Sequence, residues 1–159
     1  MKTIEINIKI DFCQINELSD NDKELINRAI AATDNSYSPY SRFSVGAALR
    51  LNDNSIVIGA NQENAAYPSG LCAERSAIFA AQSQSPNKAI TTIAIAARNA
   101  FGILKSPIVP CGACRQVIIE IENRYNSPIR ILLYGKEGIY IIKSIKDLLP
   151  LQFISKSME

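Results

Sequence analysis

The sequence predicts an α/β domain built on one mixed sheet, with helices packed on its faces. Three observations carry this reading. Segments with strand periodicity and segments with helix periodicity alternate along the chain. Residues 89–97, AITTIAIAA, form a nearly continuous apolar and β-branched run, as expected of a strand covered on both faces. A length of 159 residues suits one domain able to bury a substantial core, so residues 1–159 are read as a single domain without repeat, linker or low-complexity segment.

The elements follow in order. Residues 1–12, MKTIEINIKIDF, alternate apolar and polar through Ile4, Ile6, Ile8 and Ile10, which predicts an N-terminal strand. LSDNDKELINRAIAAT (18–33) predicts a helix capped by Ser19 or Asp20, with Leu25, Ile26, Ala29 and Ile30 as its buried stripe. Residues 42–64 predict a hairpin around Asn52-Asp53-Asn54. CAERSAIFAAQ (72–82) predicts a short alanine-rich helix. In CGACRQVIIEIENRY (111–125), Cys114, Val117, Ile118, Ile121 and Tyr125 recur at helical spacing. PIRILLYG (128–135) and GIYIIK (138–143) predict two more strands, and Ser144 opens a last short helix that ends at Pro150.

Composition narrows the function. Hydrophobic residues make up 47% and charged residues 20%, an ordinary globular balance, and the net charge is +2. Lysines and arginines are scattered, with no basic face and no aromatic interleaving, so nucleic acid is not an expected partner. No segment has the length of a membrane span, and the alternating N-terminus lacks the apolar block of a signal peptide. A cytoplasmic protein without disulfides is expected. The chain contains 4 cysteines and no histidine. A metal site would therefore rest on thiolates and carboxylates, and Ser-His or Cys-His nucleophilic machinery is excluded.

Cys111 and Cys114 stand at C-x-x-C spacing after Pro110, where positions i and i+3 of a starting helix share a side. A helix N-terminus also favours the thiolate. Alone, the pair fits zinc or two buried small residues, and less readily a thioredoxin-like redox couple. Cys72 shifts the balance. It too begins a predicted helix, one helix-plus-strand unit upstream, and helices entering from the same sheet end bring their N-termini together. Three thiolates leave one tetrahedral position open, the mark of a catalytic zinc. Cys13 lies elsewhere and reads as an incidental buried thiol.

Glu74 stands two residues after Cys72, which on a regular helix would place it on the opposite side. With Cys72 at the cap position the objection weakens, and the carboxylate faces the metal cavity; otherwise it would be an ordinary surface glutamate favoured by the helix dipole. Without histidine, proton transfer from a metal-activated water falls to such a carboxylate. Three thiolates and Zn²⁺ leave a net negative charge, which Arg75 offsets while hydrogen-bonding a ligand sulfur.

CAE at 72–74 and PCGAC at 110–114 resemble the three-cysteine signature of zinc nucleobase deaminases. Together with YSRFSVGAAL, GANQENAAYPSGLCAERSAI and the late DLLPLQF, they resemble the small homotetrameric cytidine deaminases acting on free nucleosides, in order from about residue 20 to 153. The resemblance implies a cytidine deaminase-like three-layer α/β/α fold with a mixed central sheet, one catalytic domain, and hydrolysis of cytidine or 2'-deoxycytidine in pyrimidine salvage. It implies one Zn²⁺ per chain on Cys72, Cys111 and Cys114, with Glu74 as the proton shuttle. Asn61 and Glu63 match residues that bind the ribose 3'-hydroxyl, which the residues alone would leave as a polar strand end. Phe43 matches an aromatic packed on the pyrimidine, otherwise a core residue, and the Ala73 backbone would hold the base. Tyr67 and Phe153 would approach neighbouring subunits' pockets in a homotetramer. The N-terminal strand and the longer NAFGILKSPIV approach to Pro110 depart from the family pattern.

Rival readings keep parts of this. A blasticidin S-type deaminase shares the cysteine skeleton, but Phe43, Asn61, Glu63 and Arg75 favour an ordinary nucleoside. An editing deaminase needs a basic stacking surface that the chain lacks. A non-catalytic zinc-stabilised module would need a fourth protein ligand, and none is near. A redox pair would form a reversible disulfide between Cys111 and Cys114.

Overall fold

The structure, a computed structural model, describes residues 1–158. It contains strands β1 (Asp11–Cys13), β2 (Ser44–Leu51), β3 (Ile56–Ala60), β4 (Ile90–Asn99), β5 (Gly102–Ile103), β6 (Arg130–Gly135) and β7 (Gly138–Ile142). The helices are α1 (Asp20–Ala32), α2 (Ala73–Gln84) and α3 (Gly112–Tyr125). The strands form one 7-stranded sheet in the order β1-β7-β6-β4-β2-β3, with β5 folded back on the end of β4. β4 and β6 run parallel, joined through α3, and the other pairs are antiparallel. The mixed α/β sheet is thus the one expected.

Two apolar clusters show the three layers. Leu25, Ile26 and Ala29 of α1 pack with Ala48, Ala94, Ala96 and Leu132 on one face. On the other face Ala73, Ala77 and Ile78 of α2 and Ile118 and Ile119 of α3 pack with Ala47, Leu49, Ile93, Ile95 and Leu133. Successive residues of β4 alternate between these clusters, so its continuous apolar run is the consequence of being covered twice. The α1 stripe lies as expected at Leu25, Ile26 and Ala29, with Ala32 buried as well. Ser19 is the cap, its side chain accepting from the Asp22 amide at 3.2 Å. The β2–β3 turn has Asn54 in the left-handed region (φ 68°), which asparagine tolerates.

Two expectations change. The N-terminal strand is much shorter than the alternating pattern of residues 1–12 predicts: pairing is confined to Asp11–Cys13, opposite Ile141–Ile139. Antiparallel to β1, β7 stops at Ile142, so residues before Asp11 soon run out of partner strand within the chain. The late helix from Ser144 is a single 3₁₀ turn, Ile145–Asp147. Glu122, buried on α3, explains this anchoring: its carboxylate accepts from Ile129 N, Ser144 Oγ and Ile145 N at 2.9, 2.7 and 3.0 Å. The longer approach to Pro110 is used by β5, which turns the chain back before it descends to α3. Among the described residues, no helix is long and apolar enough to cross a membrane.

Gly59 of β3 lets α2 sit directly on the sheet. A Cβ there would stand 2.7 Å from the carbonyl oxygen of Ala73 and closer still to the Ala77 amide, both backbone atoms that cannot rotate away. Gly59→Ala should therefore cost about 1–3 kcal/mol as an overpacking change. Thermal unfolding would register it as a lowered midpoint, and an unchanged midpoint would mean that α2 has room to move.

Candidate metal and catalytic site

β3 and β4 both run antiparallel to β2, so they point the same way, and the chain enters α2 soon after β3 and α3 after β4. Both helices therefore begin beyond the carboxyl ends of parallel strands, the end at which open α/β sheets bind ligands. Cys72 is the residue capping α2 (φ −72°, ψ 154°) and Cys111 the one capping α3 (φ −66°, ψ 166°). Cys114 lies in the first turn of α3 and is fully buried. The extended geometry of Cys72 removes the spacing objection to Glu74, as the sequence reading required.

The three sulfurs lie within 4.8 Å of one another. Cys72 Sγ is 3.9 Å from Cys111 Sγ, and Cys111 Sγ is 3.5 Å from Cys114 Sγ. A tetrahedral zinc with bonds near 2.3 Å separates its sulfurs by about 3.8 Å, so the cluster has the right size. Its proton chemistry also fits. The Cys72 thiol is lowered to about 5, first by a hydrogen bond from Cys114 and further by Arg75, whose Nη2 donates to Cys72 Sγ at 3.3 Å. The Cys114 thiol is pushed strongly upward, because a thiolate already stands at Cys72 and the site is buried. One thiolate forms readily and the next does not; a divalent cation supplies the charge needed for all three. The thiols and their spacing thus fit zinc, which Cys72, Cys111 and Cys114 would hold. Cys13 packs in the α1-side cluster, outside this group.

Glu74, in the first turn of α2, is 5% exposed. Burial pushes its carboxyl upward, as does the Cys72 thiolate, while hydrogen bonds from its own backbone and from Cys114 act in the opposite direction. It faces a cavity of about 450 Å³ together with Cys72, Cys111, Ala73, Phe43, Asn61 and Glu63, a volume in the range of small-molecule sites. Seven of the sequence candidates therefore meet in one place. Tyr67 and Arg75 line the adjoining cavity of about 590 Å³, which shares Asn61, Glu63 and Cys72 with the first. Phe153 does not line either cavity of its own chain. It is 60% exposed, and its carbonyl accepts from Gln116 Nε2 at 2.7 Å.

The polar wall is built as much as it is exposed. Asn61 Oδ1 accepts from Ser36 Oγ at 2.6 Å and from Val45 N at 2.8 Å, and its Nδ2 donates to Phe43 O at 2.9 Å. One amide hydrogen of Asn61 is left for a ligand. Glu63 accepts from the Tyr40 amide at 2.8 Å and from the Ser41 amide, and the Ser41 contacts, with that of Tyr40, hold its carboxyl below the usual range. Two further lining residues come from the NAFGILKSPIV segment, and one participant, Arg115, had no place in the sequence reading. Ile108 and Val109 line the same cavity as Glu74 and add apolar surface to it. Arg115 donates from Nε to Pro110 O and from Nη1 to Leu148 O, both at 2.8 Å, and so fastens the segment before Cys111 to the C-terminal stretch. Its position directly after Cys114 was the available signal.

Cys111→Ala should lose metal, whereas Cys13→Ala should keep one zinc per chain; elemental analysis of the purified proteins decides. Arg75→Ala should weaken zinc binding by about 10–100-fold, the usual effect of removing a partner from a ligand atom. Competition with a chromophoric chelator measures it, and an unchanged affinity would reduce Arg75 to a surface role.

With the geometry established, comparison with known proteins is direct. Residues 19–126 match the model of the cytidine and deoxycytidylate deaminase zinc-binding region. The chain is 40% identical over 134 residues to a cytidine deaminase of Halalkalibacterium halodurans, covering 84% of this chain and 95% of that one. It is 36% identical over 136 residues to a cytidine deaminase of Sporosarcina psychrophila, covering 86% and 93%. The crystal structure of the cytidine deaminase from Burkholderia pseudomallei superposes with a TM-score of 0.70 at 39% identity, over 82% of this chain and 97% of that one. That of Mycobacterium tuberculosis gives 0.64 at 31% identity, over 82% and 95%. Fold, thiol cluster and similarity agree: the chain belongs to the cytidine and deoxycytidylate deaminase zinc-binding family and is an enzyme of the cytidine deaminase kind.

Proposed function

We propose that the protein hydrolyses cytidine and 2'-deoxycytidine to uridine and 2'-deoxyuridine with release of ammonia, in cytoplasmic pyrimidine salvage. The observation that carries this is the buried carboxylate of Glu74 beside three converging thiols in a cavity of nucleoside size. Bound zinc would supply a Lewis acid that brings the pKa of a water to about 7. Glu74 takes a proton from that water and delivers it to N3 of cytosine as the water oxygen bonds to C4. A second transfer through Glu74 carries the remaining proton to the exocyclic nitrogen; the C4–N bond breaks, its electron pair leaves with ammonia, and C4 becomes a carbonyl. Burial suits this traffic, since a carboxyl raised from its ordinary value gives up and regains a proton more evenly near neutral pH.

The remaining residues orient the nucleoside. Phe43 packs against the ring, the Ala73 backbone holds the base edge, and the free amide hydrogen of Asn61 with the Glu63 carboxylate receives the ribose 3'-hydroxyl. Glu63 is already fixed by the Tyr40 and Ser41 amides, so little side-chain entropy is lost when the sugar binds. We include a homotetramer in the proposal. Tyr67 lines its cavity and is 82% exposed, and Phe153 is exposed and lines neither cavity of its own chain, as suits residues serving a neighbouring copy's pocket.

Incubation of zinc-loaded protein with cytidine should release uridine and ammonia in equal amounts, and absence of both products would overturn the assignment. Glu74→Ala should retain zinc while turnover falls by about 10²–10⁴-fold, the usual contribution of a positioned acid–base group. A variant that kept full activity would remove Glu74 from the reaction.

A further inference from the structure

Residues 1–10 are exposed, and among the described residues none hydrogen-bonds to them. They precede the family match, which begins at residue 19. The alternation of this arm is nevertheless regular. Even positions carry Ile4, Ile6, Ile8, Ile10 and then Phe12; odd positions carry Thr3, Glu5, Asn7, Lys9 and Asp11. Such a pattern has a physical meaning only for a strand with one covered face. Phe12 packs against Tyr140, with ring centroids 5.7 Å apart and planes tilted by 57°, and Tyr140 packs on the α2–α3 side of the sheet, so the isoleucines of an extended arm continue that face.

We propose that residues 3–11 pair antiparallel with the same segment of a second copy of this chain, in a register centred on Asn7. Charge decides the register. Centring on Asn7 sets Glu5 opposite the copy's Lys9, and Lys9 opposite its Glu5, while Ile4 faces Ile10 and Ile6 faces Ile8. Shifting the centre to Glu5 or Lys9 places like charges face to face. Centring on Ile8 sets Glu5 against Asp11, and centring on Ile6 leaves Glu5 and Lys9 without opposite charges. A parallel in-register pair opposes Glu5 to Glu5 and Lys9 to Lys9. Odd shifts between the copies would put isoleucines opposite the polar row and divide the apolar face. β1 is the outermost strand of the sheet, so its outer edge is open to such an addition. A lone two-stranded ribbon is marginal, but here each arm is anchored by β1 to a folded body, and any assembly of the bodies raises the arms' effective concentration.

The test uses the full zinc-loaded chain in a Cys13→Ser background, oxidised with a glutathione buffer, with linked peptides identified by mass spectrometry. Opposite residues of an antiparallel pair have Cα atoms about 4.5–5.5 Å apart, within disulfide reach. In the proposed register the two copies of residue 5 stand about 14 Å apart, beyond it. Asn7→Cys should therefore form a residue 7–residue 7 disulfide dimer at least about tenfold more readily than Glu5→Cys forms its own. Adding Lys9→Glu to Asn7→Cys should suppress the dimer, and adding Glu5→Lys as well should restore it. Equal linking at positions 5 and 7, no linking at 7, or indifference to the charge exchange would each overturn the proposal. Uridine release should be unchanged in all these variants, so failure here and failure of the proposed activity are read separately.

Discussion

Everything in this molecule that bears on chemistry depends on two helices starting at the same end of one sheet. β3 and β4 are both antiparallel to β2, so the segments leaving them reach the same rim. Placing a cysteine at each helix cap and another in the first turn of α3 then brings three sulfurs within one coordination sphere. The convergence is enforced by packing: the bare backbone of Gly59 allows α2 to settle against β3, and the apolar faces of α2 and α3 share one core cluster over the sheet. A shift of α2 by one side chain's thickness would move Cys72 and Glu74 together and separate them from Cys111.

The electrostatics of the site follow from that placement. Helix N-termini present unpaired amides and a partial positive charge, which suits a thiolate at Cys72. Arg75, one turn into α2, reaches back to the Cys72 sulfur and moderates the negative charge that three thiolates would leave around a divalent ion. Glu74 sits between these groups, buried and without an arginine partner of its own, so its proton is held more firmly than on an ordinary carboxyl. Glu122 makes the contrast plain. It is buried to a similar degree, 4% against 5% exposed, but accepts three hydrogen bonds that tie α3 to β6 and to the turn after β7. One buried carboxylate is satisfied by two backbone amides and the Ser144 hydroxyl and serves the fold, while the other faces a cavity, as the proposed proton shuttle requires.

The side chains of the polar wall support the fold while they line the cavity. Asn61 fastens the loop from Ser36 to the start of β2 and fixes the Phe43 carbonyl, so the aromatic wall and the amide wall are positioned together. Glu63 does the same for the Tyr40–Ser41 backbone. Arg115 holds Pro110, and through it the cap of α3, to the segment at Leu148. The metal end of the cavity is thereby coupled to the part of the chain that leads to Phe153.

The sequence by itself determined the layered α/β fold, because apolar periodicity reports which faces must be covered, and β4 read correctly as doubly covered from composition alone. It also singled out Cys72, Glu74, Cys111 and Cys114 as a candidate metal and acid–base set, because thiols and a carboxylate at two predicted helix starts are what such a site would use in a chain without histidine. Tertiary structure alone decided what depends on long-range neighbours. The alternation of residues 1–10 encodes a strand, but within one chain pairing begins only at Asp11, because β7 ends at Ile142. The engagement of Asn61 with residues 16 and 25 positions away and the span of Arg115 to Leu148 likewise have no local signature. Periodicity records a residue's demand for burial; the fold alone settles which distant partner meets it.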